Sequence, residues 1–203
     1  SLSLDPQIVE KIITHPPGRI AAIIVVHPLG HPAELEPLVA ISKSACVPLI
    51  EDAAGAFGAK YKGYPIGSFG DFSILSFNGN KTITAGGGGM ILTNSHDHAL
   101  RLRKLSGQAR VGTDYKHESI GYIYRMTNIK AGLLLAQLER IDEMIYAKRK
   151  IASRYDTAIE KYDHMKALSS MDWGESSCWL YSLACASEDA SESLIRFLHS
   201  HNI

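Results

Sequence analysis

The stretch AAIIVVHP, residues 21–28, decides how the rest of the chain is read. Four β-branched residues in a row, Ile23 to Val26, show no alternation with polar residues. Such a run is expected of a strand covered on both faces, as in parallel sheets flanked by helices. A second run, VPLIED (residues 47–52), repeats the pattern and ends in two carboxylates. FSILSF (72–77) and MILTN (90–94) supply two further strands.

Helical spacing fills the gaps between these strands. Asp5–Thr14 reads as a short helix with Asp5 as N-cap, Pro6 in the first turn and an apolar stripe at Ile8, Val9, Ile12 and Ile13. Residues 33–45 return to a helical stripe through Leu35, Leu38, Val39 and Ile41, and Ser95 caps a basic helix, HDHALRLRKLS. Alternating strands and helices imply an α/β fold with a mostly parallel sheet and right-handed crossovers. From Asn128 a long helical pattern runs to Tyr162, with Leu134, Leu138, Ile141, Ile145, Ala152 and Tyr155 on one side. CWLYSLACA (178–186) then reads as a strand and Glu188–His201 as a helix. The expected organisation is a large-domain part over 1–127, a linking helical segment over 128–165 and part of a small C-terminal domain over 166–203.

The bulk composition excludes several functions. Lys+Arg and Asp+Glu are 21 each, so nothing suggests a general affinity for nucleic acid or an anionic membrane. Three cysteines without a CxxC argue against a disulfide framework or a zinc site, and fit a reducing cytoplasm. No apolar run reaches the length of a membrane span. Both ends look cut, as in a segment of a longer protein.

Ligands in parallel α/β sheets gather beyond the carboxyl ends of strands. Asp52, His27 and the loop from Ser76 to Lys81 all follow strands. Asp52 is either a local cap or a carboxylate aimed at a cation; Glu51 alternates with it and points to the opposite face, so the two make a poor acid/base pair. Lys81 sits between the turn Asn78-Gly79-Asn80 and the run Gly86–Gly89, where a lysine packed among small residues is desolvated and its amine freed for Schiff-base chemistry. The glycine run is neither a phosphate-binding P-loop nor a dinucleotide fingerprint. Ser76 offers a hydroxyl for a turn cap or a phosphate. His27 and His31 read as structural, and Arg101, Arg103, Lys104 and Arg110 as a solvated helix face. A lysine, a strand-end aspartate and a hydroxyl together suit pyridoxal phosphate, which needs an amine, an anion for its ring nitrogen and donors for its phosphate.

With these residues in view, IEDAAGAFGAKYKGYPIGSFGDFSILSFNGNKTITAGGGGMILTN (50–94) resembles the core of the DegT/StrS nucleotide-sugar aminotransferases. GYIYRMTNIKAGLLLAQLERID (121–142) is similar to a second hallmark of that family. The resemblance covers nearly the whole chain and is weakest after Lys166. It implies an aspartate-aminotransferase-type (fold type I) large domain and a homodimer with active sites at the subunit interface. It implies Lys81 as the Schiff-base lysine, Asp52 as partner of the pyridine nitrogen and Ser76 as a phosphate ligand. Ala54 would lie against the ring face, and Asn78 would border cofactor and substrate.

The implied reaction moves an amino group from glutamate to a nucleotide-linked keto sugar. GNKTITAGGGG is most similar to the branch acting at C4 of 4-keto-6-deoxy sugars, as in perosamine-, bacillosamine- or legionaminate-type pathways that supply amino sugars for surface polysaccharide or glycan. Related C3-aminotransferases and dehydratases are the enzyme alternative, though the dehydratases typically replace the lysine with histidine. A non-catalytic or regulatory protein on the same fold is the alternative of another class. Three positions depart from the family pattern. Gly55 stands where Gln or Glu is usual, Ile123 replaces the Asn of a Gly-Tyr-Asn-Tyr-Arg motif, and Gly87 replaces a frequent Glu. Gly55 and Ile123 each remove a polar contact, so weaker cofactor retention is expected. The resemblance also implies an upstream helix start for the phosphate and an aromatic residue on the ring, neither of which is in this chain.

Overall fold

In a computed structural model, which describes residues 2–112, 115–168 and 171–203, the chain starts with helix α1, Pro6–Thr14. Asp5 caps it as expected, accepting from the Gln7 N–H at 2.8 Å. Strand β1 (Ile23–Val26) leads through a short turn to α2 (Leu35–Ala45) and on to β2 (Leu49–Asp52). The hairpin β3 (Lys60–Tyr61) and β4 (Tyr64–Pro65) follows, then β5 (Phe72–Ser76) and β6 (Gly89–Leu92). The sheet order is β1-β2-β5-β6. The first two pairings are parallel and β5–β6 is antiparallel, so the sheet is mostly parallel.

One face of this sheet is covered and the other is not, which corrects the expectation for residues 21–28. Ile23, Val25, Leu49 and Leu75 are buried in one cluster with Val9 of α1 and Leu35 and Leu38 of α2. Each such side chain contributes roughly 1.5–3 kcal/mol by leaving water. The alternate residues Ile24, Val26, Ile74 and Ile91 are exposed on the other face. The β-branched run is read correctly as strand, but among the described residues α1 and α2 cover only the Val25 side.

Helix α3 (His96–Ser106) is capped by Ser95, whose Oγ accepts from the His98 N–H at 3.3 Å. A small ladder pairs β7 (Arg110–Val111) with β8 (Lys116–His117). The long helix expected from Asn128 is two helices, α4 (Asn128–Leu138) and α5 (Ile141–Ile159). Arg140 leaves helical geometry at φ −116°, ψ 16°. No Gly or Pro marks the break. The end of α4 is instead tethered by Gln137, which accepts from the Thr84 N–H at 3.0 Å and donates to the Thr84 carbonyl at 2.6 Å.

Strand β9 (Met165–Ala167) pairs antiparallel with β11 (Leu183–Cys185), while β10 (Gly174–Glu175) joins the edge of β3. The strand expected over 178–186 is thus confined to its last part. Residues 176–180 instead hydrogen-bond to the loop after β1, with Ser177 N–H donating to Gly30 O at 3.0 Å and Leu180 N–H to Leu29 O at 3.4 Å. Helix α6 (Glu188–Ser200), capped by Ser187, ends the chain. No described helix is long and apolar enough to cross a membrane.

Candidate active site

The register of the sheet places the site. Asp52 at the end of β2 pairs with Ile74, and Ser76 lies two residues further along β5, so Asp52 and Ser76 share one face. Glu51 faces the other way and is fully buried, as its alternation with Asp52 requires. Glu51 accepts hydrogen bonds from the Gly67, Phe69 and Gly70 N–H groups at 2.9, 2.7 and 2.7 Å and from Ser73 Oγ at 3.1 Å. The His27 ring closes the same cluster: Nδ1 accepts from the Ala33 N–H at 3.0 Å, which leaves the proton on Nε2 to donate to Glu51. His27 is therefore structural. This pair ties the backbone at Ala33 to that at Gly67, Phe69 and Gly70, and the sequence alone gives no hint of it.

Lys81 sits at the tip of the β5–β6 hairpin. Past Ser76 the pairing continues irregularly: Phe77 N–H donates to Gly88 O at 2.9 Å, and Ala85 N–H donates back to Phe77 O at 3.0 Å. The glycines make this return possible. Gly88 has φ +102°, a left-handed conformation that side chains disfavour, and a Cβ on Gly89 would meet the Leu75 carbonyl oxygen at 2.7 Å. Lys81 itself is held by its N–H, which donates to Asn78 O at 3.0 Å.

Burial lowers the pKa of the Lys81 amine, and the negative charge of Asp52 opposes that shift without cancelling it. Burial is thus the larger influence on this amine, and the aspartate acts on it in the opposite direction. One Asp52 oxygen accepts from the Ala54 N–H at 3.0 Å. Ser76 Oγ accepts from the Asn78 N–H at a long 3.4 Å, and the Asn78 side chain is exposed. Asp52, Ala54, Ser76, Asn78 and Lys81 therefore gather at the carboxyl ends of two parallel strands. His31, which burial keeps less basic than an ordinary histidine, faces a small apolar cavity lined by Leu2, Pro28 and Met171. Arg101, Arg103 and Arg110 are exposed, and Lys104 pairs with Glu118.

One residue with no warning in the sequence, Trp179, completes the surroundings. It lies over Lys81, with Nζ 3.6 Å from the ring centroid, and its Nε1 donates to Asn80 O at 2.7 Å. A Cβ on Gly55 would meet that indole at 2.7 Å. The Gly55 departure from the family pattern therefore coincides with the seat of an aromatic ring. Ile123, the other departure, is exposed and forms a β-bridge with Gly107.

The DegT/DnrJ/EryC1/StrS aminotransferase family model matches residues 1–203. The chain belongs to this family. Among curated relatives, GDP-perosamine synthase of Escherichia coli O157:H7 is 49% identical over 148 residues, covering 72% of this chain and 40% of that protein. GDP-perosamine synthase of Caulobacter vibrioides is 41% identical over 165 residues, covering 79% and 43%. A solved DegT DnrJ EryC1 StrS aminotransferase from Brucella abortus superposes with TM-score 0.89 at 27% identity, covering all of this chain and 54% of that one. The chain thus spans about half the length, or less, of the family members it matches. The fold is mixed α/β with a mostly parallel sheet, like that of these aminotransferases, and Lys81 lies on the hairpin between β5 and β6.

Proposed function

We propose that this chain carries the lysine-bearing part of a pyridoxal-phosphate aminotransferase site. The reaction would move an amino group from glutamate to a nucleotide-linked 4-keto-6-deoxy sugar. The observation that carries this reading is the Lys81 amine, made less basic by burial and set within the field of the strand-end Asp52. The residues fit the cofactor's chemistry. Asp52 retains an oxygen that accepts no hydrogen bond among the described residues, suited to a protonated ring nitrogen. Among the described residues Ser76 Oγ has only the long bond from Asn78 to give up to a phosphate. Ala54 would present a small side chain to a ring face, and Asn78 is exposed, open to a substrate hydroxyl. Bound there, the cofactor would supply an electron sink for the substrate's carbanion. Lys81, with a lowered pKa, is suited to take and return a proton between two carbons.

The sugar class is supported by the two perosamine synthase relatives and by the resemblance of residues 79–89 to that branch. Within this reading residues 1–127 belong to the large domain, 128–165 link, and 166–203 begin a small domain. The protein would work as a cytoplasmic homodimer. The test is fixation of pyridoxal phosphate by borohydride followed by peptide mass spectrometry. Label on Lys81 supports the reading, and a folded, cofactor-saturated protein without label there overturns it. Loss of the cofactor's bound absorbance on adding glutamate then establishes the donor.

A further inference from the structure

Trp179 is far from Lys81 in sequence and is held next to it from several sides. Its carbonyl accepts from Lys148 Nζ of α5 at 3.4 Å, and its ring nitrogen is tied to Asn80 O. The preceding residues are docked on the turn after β1, where Ser176 Oγ donates to Gly30 O at 3.0 Å. Gly30 has no Cβ, and one there would meet the Trp179 N–H at 2.9 Å. Gly55 likewise clears the space that the indole face occupies. Two absent side chains and two hydrogen bonds thus fix one aromatic plane against the Lys81 ammonium.

We propose that Trp179 is a positioning residue for Lys81, its indole face holding the Nζ in place beside Asp52, with Gly55 as the matched small partner that makes room for it. The inference extends the reading of Lys81 as the reactive amine. A ring face attracts the cation and not the neutral amine, so Trp179 sets both where Nζ sits and at what pH it loses its proton. Asp52 from β2 is the charged group that acts on Lys81, and Lys148 from α5 touches the carbonyl of Trp179 and not its ring. Burial and Trp179 therefore act in opposite directions on the same proton, and replacing the indole by an equally apolar aliphatic group separates them.

The experiment is competitive acetylation of the 203-residue chain across pH, read at Lys81 by mass spectrometry, with circular dichroism to confirm folding. It needs no cofactor. Trp179→Leu keeps an apolar cover and removes the ring face, and the Lys81 midpoint should fall by about half to one pH unit. Trp179→Phe, which keeps a ring face, should restore most of that shift. Gly55→Gln, which displaces the indole while leaving it in the chain, should lower the midpoint like Trp179→Leu. An unmoved or raised midpoint in Trp179→Leu overturns the proposal, as does a Gly55→Gln variant indistinguishable from the parent. Failure of borohydride labelling in the parent would instead overturn the cofactor assignment, so the two outcomes are read separately.

Discussion

Nε2 of His27 lies 3.3 Å from Oε2 of Glu51, and neither side chain is exposed to solvent. Burial alone would push the Glu51 pKa up, but hydrogen bonds from His27, Gly70, Gly67 and Phe69 outweigh it and hold the carboxyl below its usual range. Glu51→Gln keeps one acceptor and turns an NH2 group toward donors. The expected loss is about 3 kcal/mol at neutral pH, read from denaturant midpoints. A carboxylate with a depressed folded pKa stabilises above its unfolded value of about 4.3, and that contribution is lost as pH falls through the lower folded value. The gap between parent and variant should therefore be full at neutral pH and narrow in acid. A gap that is constant from pH 7 to pH 3 contradicts this role.

Local chemistry was legible in the sequence wherever it was decided within a few residues. The Asp5 and Ser95 caps and the opposed faces of Glu51 and Asp52 follow from short-range patterns. Features decided by distant contacts were not. The break at Arg140 has no glycine or proline to announce it. The bare face of β1 looks in sequence like its covered face, because Ile and Val occupy both. Trp179 reaches Asn80 across 99 positions, and only the absence of a side chain at Gly55 could have suggested that something else fills that space.

Gln137 clamps the lysine hairpin to α4 through both the N–H and the carbonyl of Thr84. Gln137→Leu fits the helix but removes both bonds. It should destabilise the chain by roughly 1–2 kcal/mol. Exchange of the Thr84 amide should accelerate more than that of β1 and β2 amides, as expected for local rather than global opening. Equal acceleration throughout the sheet would show that Gln137 supports the fold as a whole and not the hairpin.

Gly58, in the loop after β2, has φ +85°, and a Cβ there would lie 1.7 Å from Cδ1 of Ile145. Gly58→Ala should cost about 2 kcal/mol from backbone strain and overpacking together. Ile145→Val removes the clashing methyl. On its own it should cost about 1 kcal/mol, and in combination less than the sum of the two. Strict additivity in denaturation would mean that the strain at Gly58 alone accounts for the loss.

Asp52 raises the pKa of Lys81 against the lowering caused by burial. Asp52→Asn is nearly isosteric and keeps the acceptor for the Ala54 N–H, so the turn after β2 should survive. Without the carboxylate charge the Lys81 amine should lose its proton at still lower pH, read as a lower midpoint in the acetylation titration. The same variant loses the anion offered to a protonated ring nitrogen. A charge-assisted hydrogen bond of about 1.5–3 kcal/mol corresponds to roughly 10–100-fold weaker retention of pyridoxal phosphate. The two effects distinguish roles: a lower midpoint with unchanged cofactor retention would leave Asp52 as a neighbour of Lys81 and remove it from the cofactor's binding set.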